Sequence, residues 1–551
     1  MLSVNQINKS YGLTPVLKNI TFSILANERW GLVGFNGSGK STLLRILTNN
    51  EHADSGTFSF TPNNLRVGYL EQGFEFQSED TIRSYLDKRS GNFNHLTNEL
   101  SELAKVMVEH RDQPDLQTRF DHILAQLETN AQSQNRLEST LSGLGLDQLE
   151  MDSPISHLSG GQKTRLMLAE VVLNNPQILF LDEPTNHLDI EMLTWLEDWI
   201  KRFQGGILMV SHDRTFLDHT VNGILELNEH THQIKAYKGT YSDYIQQISS
   251  EHEKHWQAYK DQQDEIQRLR NAAAEMRSKA KYHKGGKTDP QNTDGFSIGF
   301  FANRSKEVIQ KAKNIEKRME KLLTEDKIDK PTRTWQLHID FGRVQTTGRE
   351  VLILEELDIG YPGMVLLQDL NVVLQYGQRI ALIGPNGCGK TTFLKTINGE
   401  IPPLNGTFRL GSNVQVGFMS QEQSEWDGQA NALESITRVS NLNETEIRSF
   451  LSKFLFRGDD VFVPLEKLSY GERTRLSLAH LVASGCNFLI LDEPINHLDI
   501  PSRTNFEQAL SHFEGTVIAV VHDRYFIERF ASHIWEVKDR EFQVRENMKS
   551  S

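Results

Sequence analysis

A phosphate-binding motif that occurs twice, each time with the same elements behind it, commits this chain to a duplicated α/β nucleotide-binding domain. Gly34-Phe35-Asn36-Gly37-Ser38-Gly39-Lys40-Ser41 returns as Gly384-Pro385-Asn386-Gly387-Cys388-Gly389-Lys390-Thr391, and each runs on into a second hydroxyl, Thr42 and Thr392. Each copy follows an apolar stretch that reads as a strand (Trp30 to Val33; Ile380 to Ile383) and precedes a helical one (Leu43 to Leu47; Phe393 to Ile397). That is the context the motif requires. Glycines let backbone N–H groups curl around a phosphate, which then sits at a helix N-terminus. Lys40 and Lys390 are placed to reach the outer phosphates of a nucleotide, and Ser41 and Thr391 to offer a hydroxyl to Mg²⁺.

The repetition continues. Leu158-Ser159-Gly160-Gly161-Gln162 returns as Leu468-Ser469-Tyr470-Gly471-Glu472, Leu181-Asp182-Glu183-Pro184 as Leu491-Asp492-Glu493-Pro494, and Ser211-His212-Asp213-Arg214 as Val521-His522-Asp523-Arg524. Asp182 and Asp492 end apolar runs, so they are expected at the carboxyl ends of buried strands, where an Asp suits Mg²⁺ held through water. Glu183 and Glu493 come next and are placed to polarise an attacking water. His212 and His522 each follow a further apolar strand; a lone His there is more often structural, but the matched repeat favours contact with a γ-phosphate. Tyr11 and Tyr361 precede their phosphate loops at equal distance and suit stacking on adenine, with a core tyrosine as the other reading.

Spacing shows where the copies differ. Tyr11 and Tyr361, like Lys40 and Lys390, stand 350 apart, and Gln72 and Gln421 stand 349 apart. Ser159 and Ser469, Asp182 and Asp492, and His212 and His522 all stand 310 apart. The first copy therefore carries about 39 additional residues between Gln72 and Ser159, with Leu96, Leu100, Leu103 and Met107 at helical spacing. A lengthened helical subdomain or a dedicated contact arm would account for them.

Between the copies lie two long polar segments. Tyr259, Ile266 and Ala273 fall seven apart, interleaved with Gln262, Leu269 and Met276; later, Val308, Ala312, Ile315, Met319 and Leu322 step by four and three. One narrow apolar seam on each predicts an antiparallel helical hairpin, turning through Gly285-Gly286 and Pro290. The formal net charge of the chain is −14, which looks wrong for a nucleic-acid binder. The hairpin is the exception. From His252 to Arg333 there are 19 Lys+Arg against 13 Asp+Glu, and Lys279, Lys281, Lys284 and Lys287 crowd its turn. A solvated helical surface is the ordinary reading of such a run. A positive probe that meets RNA through its tip is the other, and it makes these four lysines the expected RNA contacts. Phe296, Phe300 and Phe301 follow in the same tip.

At 551 residues, 38% apolar and 24% charged, the chain is ordinary globular material with room for several cores. No apolar run approaches the roughly 18 residues a membrane helix needs, and no signal-peptide core opens the sequence. Two cysteines, Cys388 and Cys486, fit a reducing cytosol. Cys388 lies inside a phosphate loop, where a helix N-terminus is expected to lower the thiol's pKa.

Taken together, these stretches are identified as the phosphate loop, Q-loop, LSGGQ signature, Walker B segment and H-loop of ATP-binding cassette (ABC) ATPases. Two cassettes in tandem, a helical arm in the first, a basic hairpin between them and no membrane span resemble the ABC-F family over nearly the whole chain. The resemblance implies a first ABC domain at 1–244 with its arm at about 82–145, a hairpin at 245–335 with a tip at about 279–304, and a second ABC domain at 336–551. It implies ATP and Mg²⁺ as ligands, with Gln72 and Gln421 joining Ser41, Thr391, Asp182 and Asp492 around the metal. It implies shared sites as well: Lys40 and Glu183 with Ser469 and Gly471, and Lys390 and Glu493 with Ser159 and Gly161. The family resembled closes its cassettes over two ATPs within one cytoplasmic chain and binds the ribosomal E site, its hairpin pointing toward P-site tRNA and the peptidyl-transferase centre. A translation factor is the expected role, and ribosome protection against antibiotics the alternative within the family. The ATPase half of a transporter and a DNA-repair ATPase are rivals from other classes; the hairpin has no purpose in the first, and two cysteines make no zinc cluster for the second. Two departures stand out. Tyr470 replaces a signature glycine, and Ile495 stands where the first cassette has Thr185, which removes a hydroxyl expected near the seam between cassettes.

Overall fold

The computed structural model describes residues 1–71, 73, 80–90, 139–147, 149–186, 188–284, 295–330, 348–420, 430–440, 442–454, 456, 458–496, 498–511 and 513–547. Gln72, Gln421, Lys287 and most of the expected arm lie outside the described residues, as do the side chains of Lys279, Lys281, Lys284, Phe296, Phe300 and Phe301. The chain forms two compact units, one of Met1–Tyr241 with Gln336–Ser551, the other of Ser242–Trp335.

The first cassette opens with β1 (Leu2–Tyr11), β2 (Thr14–Ile24) and β3 (Arg29–Val33), then α1 (Lys40–Leu47), β4 (Ser55–Phe60), β5 (Val67–Leu70) and α2 (Ile82–Ser90). It continues with α3 (Gly160–Leu173), β6 (Ile178–Asp182), α4 (Ile190–Arg202), β7 (Gly206–Val210), α5 (Arg214–Thr220), β8 (Gly223–Leu227) and β9 (Ile234–Lys238). Its main sheet runs β5-β6-β7-β3-β8-β9, parallel until β9 closes it antiparallel. Every residue of β6 and β7 is buried. Such unbroken apolar strands suit a parallel sheet covered on both faces and would be wasted on one with a wet side. One cover is the antiparallel sheet β2-β1-β4 with α1: Val4, Ile7 and Ile20 meet Leu43, Leu44, Phe180 and Leu208 in one core.

Two long helices follow, α6 (Tyr241–Lys284) and α7 (Gly295–Thr324). Ile266, Ala273 and Ala312 are buried along them. Arg277 pairs with Glu316 at 2.7 Å and Glu265 with Arg318 at 3.1 Å. The Gln262 amide donates to the Asp326 carbonyl at 2.6 Å and accepts from the Ile328 N–H at 3.0 Å. Partners thus descend along one helix as they rise along the other, which is an antiparallel pairing.

The second cassette repeats the first. It comprises β10 (Glu350–Tyr361), β11 (Met364–Gln375), β12 (Arg379–Ile383), α8 (Lys390–Ile397), β13 (Asn405–Leu410), β14 (Val416–Met419), α9 (Ala432–Thr437) and α10 (Glu444–Lys453). After these come α11 (Tyr470–Ala483), β15 (Phe488–Asp492), α12 (Ile500–Ser511), β16 (Thr516–Val520), α13 (Arg524–Phe530), β17 (His533–Lys538) and β18 (Glu541–Glu546). The sheet order, β14-β15-β16-β12-β17-β18, matches that of the first, and so does the small sheet, β11-β10-β13.

Candidate active site

Strand register gathers the motifs. Asp182 pairs with Val210, and Val210 with Leu32, so β6, β7 and β3 end side by side. Asp182-Glu183, Ser211-His212 and the Gly34–Lys40 loop therefore leave neighbouring strands at one sheet edge. Ligands gather at such carboxyl edges. In the second cassette Asp492 pairs with Val520, which pairs with Leu382, and the same edge forms.

Each phosphate loop turns on a glycine in the left-handed region. Gly39 has φ 104° and Gly389 φ 105°, each just before its helix. A Cβ on Gly39 would stand 2.4 Å from Val16 Cγ1, so no side chain fits there. The Lys40 ammonium donates to the carbonyls of Gly34 and Phe35, both at 2.9 Å, and Lys390 to those of Gly384 and Pro385 at 2.8 and 2.9 Å. Each lysine is thereby held across the loop it is to serve.

Around the first loop lies a cavity of about 560 Å³. Tyr11, Lys40, Ser41, Asp182, Glu183 and His212 line it, together with Tyr470 from the second cassette. Tyr11 is half exposed, and its hydroxyl donates to Glu51 at 2.5 Å. His212 Nε2 stands 3.1 Å from Glu183 Oε1. Both glutamates sit at positive φ, 53° for Glu183 and 50° for Glu493, each fixed by its N–H donating to the neighbouring strand (Val210, 2.9 Å; Val520, 3.1 Å). A left-handed non-glycine residue costs about 1–3 kcal/mol and persists only where its surroundings hold it. Burial pushes the Glu183 carboxyl up to about 7, against the pull of Lys40 and of Arg503 in the other cassette. Burial also raises Asp182 and takes Asp492 up to about 6, while it lowers Lys40. Among the described residues, neither Asp182 oxygen has a hydrogen-bond partner. An orphaned buried carboxylate beside the Ser41 hydroxyl is an oxygen donor set that fits Mg²⁺, with water and substrate phosphates completing the shell.

The seam between cassettes closes on this site. The Asn36 N–H, in the first phosphate loop, donates to Asp499 Oδ2 of the second cassette at 2.8 Å. Ser159 and Ser469 cap α3 and α11 in reciprocal boxes with Gln162 and Glu472. Tyr470 occupies the first turn of α11, where any residue fits, so its ring extends the cavity wall without disturbing the cap.

Comparison with known proteins settles the family. The ABC transporter profile matches residues 17–186 and 367–496, and a second profile of the same description matches 227–341. The ATP-binding protein YdiF of Bacillus subtilis is 36% identical over 98% of this chain and 80% of its own length. ABC transporter F family member 5 of Arabidopsis thaliana is 32% identical over 98% and 75%. The chain belongs to the ABC-F family. Its cassettes bind and hydrolyse ATP. The energy-dependent translational throttle protein EttA of Mycobacterium tuberculosis is also 32% identical, over 98% of this chain and 91% of its own length. Among solved structures, the archaeal ribosome recycling factor aABCE1, in complex with the stalk protein aP1, superposes with a TM-score of 0.60 at 18% identity, covering 98% of this chain and 90% of its own; that likeness is one of fold. No helix among the described residues is long and apolar enough to cross a membrane.

The two ATP sites of this ABC-F chain are not equivalent. His522 Nε2 stands 3.6 Å from Glu493 Oε1, and the Asn496 amide takes the other Glu493 oxygen at 2.5 Å. The Thr185 hydroxyl lies 3.1 Å from that of Ser211 in its own cassette. In the second cassette the equivalent residues are Ile495 and Val521, both buried in the apolar core. A polar pair has been exchanged for an apolar one, which leaves no orphan. Nor is Cys388 a lowered thiol. Burial pushes its pKa up, although Lys390 and loop N–H groups pull the other way. It lines a separate cavity of about 520 Å³ with Glu191 and Val537. Of the residues across the seam, Asp499 ends the Asn-His-Leu-Asp run that repeats Asn186 to Asp189, a signal that could have been used, whereas Arg503 has Leu193 as its counterpart and carries none.

Proposed function

We propose that this ABC-F ATPase is a cytoplasmic translation factor that acts on the ribosome as a monomer, closing its cassettes over ATP and reopening after hydrolysis. The observation that carries this reading is the 32% identity, over nearly the whole chain, to a protein named as a translational throttle. Glu183 and Glu493 are the proposed bases for water, His212 and His522 the contacts to the γ-phosphate, and Tyr11 and Tyr361 the adenine platforms. Ser41, Asp182 and Gln72, and Thr391, Asp492 and Gln421, would hold Mg²⁺, which when bound offsets phosphate charge. The glycine loops, Gly34 to Thr42 and Gly384 to Thr392, would cradle the phosphates, and Ser469 and Gly471, with Ser159 and Gly161, would complete each site from the opposite cassette. Lys279, Lys281, Lys284 and Lys287 would meet rRNA or tRNA near the P site, with the protein in the E site.

Cosedimentation with ribosomes in a non-hydrolysable ATP analogue tests the reading. The parent chain should pellet with ribosomes, and the variant with all four lysines changed to Gln should pellet less, with a shallower salt dependence because fewer counterions are released. A parent chain that stays in the supernatant at low salt would remove the ribosome from the proposal.

A further inference from the structure

Two residues after each histidine of the H-loop stands an arginine whose partners lie in the other cassette. Asp213 and Asp523 accept the N–H groups of Phe216 and Phe526 at 2.8 and 2.9 Å and so cap α5 and α13, which makes Arg214 and Arg524 the first residues of those helices. Arg214 crosses the seam. Its guanidinium meets Glu507 at 3.1 Å, Thr504 Oγ1 at 2.7 Å and the Ile500 carbonyl at 3.2 Å, all on α12 of the other cassette. The Tyr525 ring, on α13, lies 4.7 Å from its central carbon. Arg524 makes the return contact, to Glu197 on α4 of the first cassette. Glu197 and Glu507 stand 310 apart, as do Arg214 and Arg524, so the two pairs exchange under the internal repeat. Arg214 and Glu197 are buried and their partners partly so, with side chains 7% and 11% exposed in the Arg214 pair and 22% and 5% in the other.

We propose that Arg214 and Arg524 are positioning residues, a reciprocal clasp that holds each catalytic His–Glu couple in place by anchoring its H-loop to the opposite cassette. A pair that spans the seam exists only while the seam is shut. Opening returns four charges to water; shutting it with one partner missing buries a charge alone, which is far costlier than having no pair at all. The anchor acts two residues from His212, across a single helix cap, so loss of the cross-seam contact frees the histidine that stands 3.1 Å from Glu183. Tyr241, the first residue of α6, is buried near the same guanidinium; burial pushes its hydroxyl pKa up, against the pull of that charge. The clasp stands whether or not the ribosome is the partner.

Steady-state ATPase and binding of a fluorescent ADP, both on the full chain, test it. Arg214→Gln and Glu507→Gln should each lower kcat about tenfold or more, since each leaves a buried charge unmatched. ADP affinity should stay within about twofold, because the phosphate loops are untouched. The double variant should be no worse than either single, and Arg214→Lys, which keeps the charge but not the fork, should recover part of the rate. Where Arg214→Gln fails to fold, Arg524→Gln, at the more exposed pair, reads the same quantities. A kcat within twofold of the parent, losses that multiply in the double variant, or an ADP affinity that falls in step with kcat would each overturn the clasp.

Discussion

Glu183 carries a charge that its surroundings oppose. Its carboxyl is pushed up to about 7, mainly by burial, so the neutral form is the one the fold favours. The sign follows: stability from this group is complete below the unfolded carboxylate range and is lost as pH rises through about 7, an effect on the order of 3 kcal/mol. Glu183→Gln should therefore raise the melting temperature of the nucleotide-free chain at pH 8 and leave it nearly unchanged at pH 4. Activity has the opposite dependence, because a base must give up its proton first. In a Glu493→Gln background, kcat/KM for ATP should fall about tenfold per unit below about pH 7. A flat profile between pH 5.5 and 7.5 would deny Glu183 that role. The Thr185–Ser211 contact permits a second test at this scale. Ile495→Thr would set a hydroxyl beside Val521, with none of the partner that Ser211 supplies in the first cassette. Denaturant unfolding should show a loss of about 1–3 kcal/mol, and the added change Val521→Ser should return part of it.

At the scale of elements, what could be read in the sequence was what lies close together along it. The phosphate loops, the Asp-Glu pairs and the histidines each occupy a few consecutive residues between an apolar strand and a helix, and β3, β6, β7 and their counterparts stand where those runs place them. The heptad spacing of Ile266 and Ala273 marks positions that are buried on α6. Contacts between distant stretches were not legible. Arg214 and Glu507 are 293 residues apart; Arg214 closes a repeated motif, but nothing in either stretch says that the two meet. The Cys388 thiol went wrong for a related reason: a helix end is visible in sequence, whereas the core that half-buries the side chain, with Val537 among its members, is not. Ala312 offers the test at this scale, being 2% exposed on α7. Ala312→Asp would bury an unmatched carboxylate there, at a cost of several kcal/mol. Hydrogen exchange along α6 between Glu265 and Arg277 should quicken, with the sheet strands unaffected; unchanged exchange would show that α7 is not what protects α6.

The molecule as a whole has two ATP sites built on one plan and finished differently. Glu183 is deeply buried against His212 at 3.1 Å, whereas Glu493 is 17% exposed, stands 3.6 Å from His522 and is shared with Asn496. Gln at either position keeps the size and some hydrogen bonding of the side chain but neither its charge nor its basicity. ATP should still bind, since the phosphate loops, Asp182 and Asp492 remain. Hydrolysis should fall steeply in the double variant, because phosphoryl transfer depends on a positioned water and on electrostatics. Of the single variants, Glu183→Gln should remove the larger share of turnover, as it takes away the glutamate with the closer histidine. With neither site able to turn over, the cassettes should stay shut on ATP, the seam held by Asn36–Asp499 and the two arginine pairs. On the proposed function, the Glu183→Gln, Glu493→Gln chain should then accumulate on ribosomes, inhibit translation and slow growth when expressed. Normal hydrolysis by that chain would falsify the assignment of the two glutamates. An inactive chain that is never retained on ribosomes would leave the ATPase standing and remove its proposed partner.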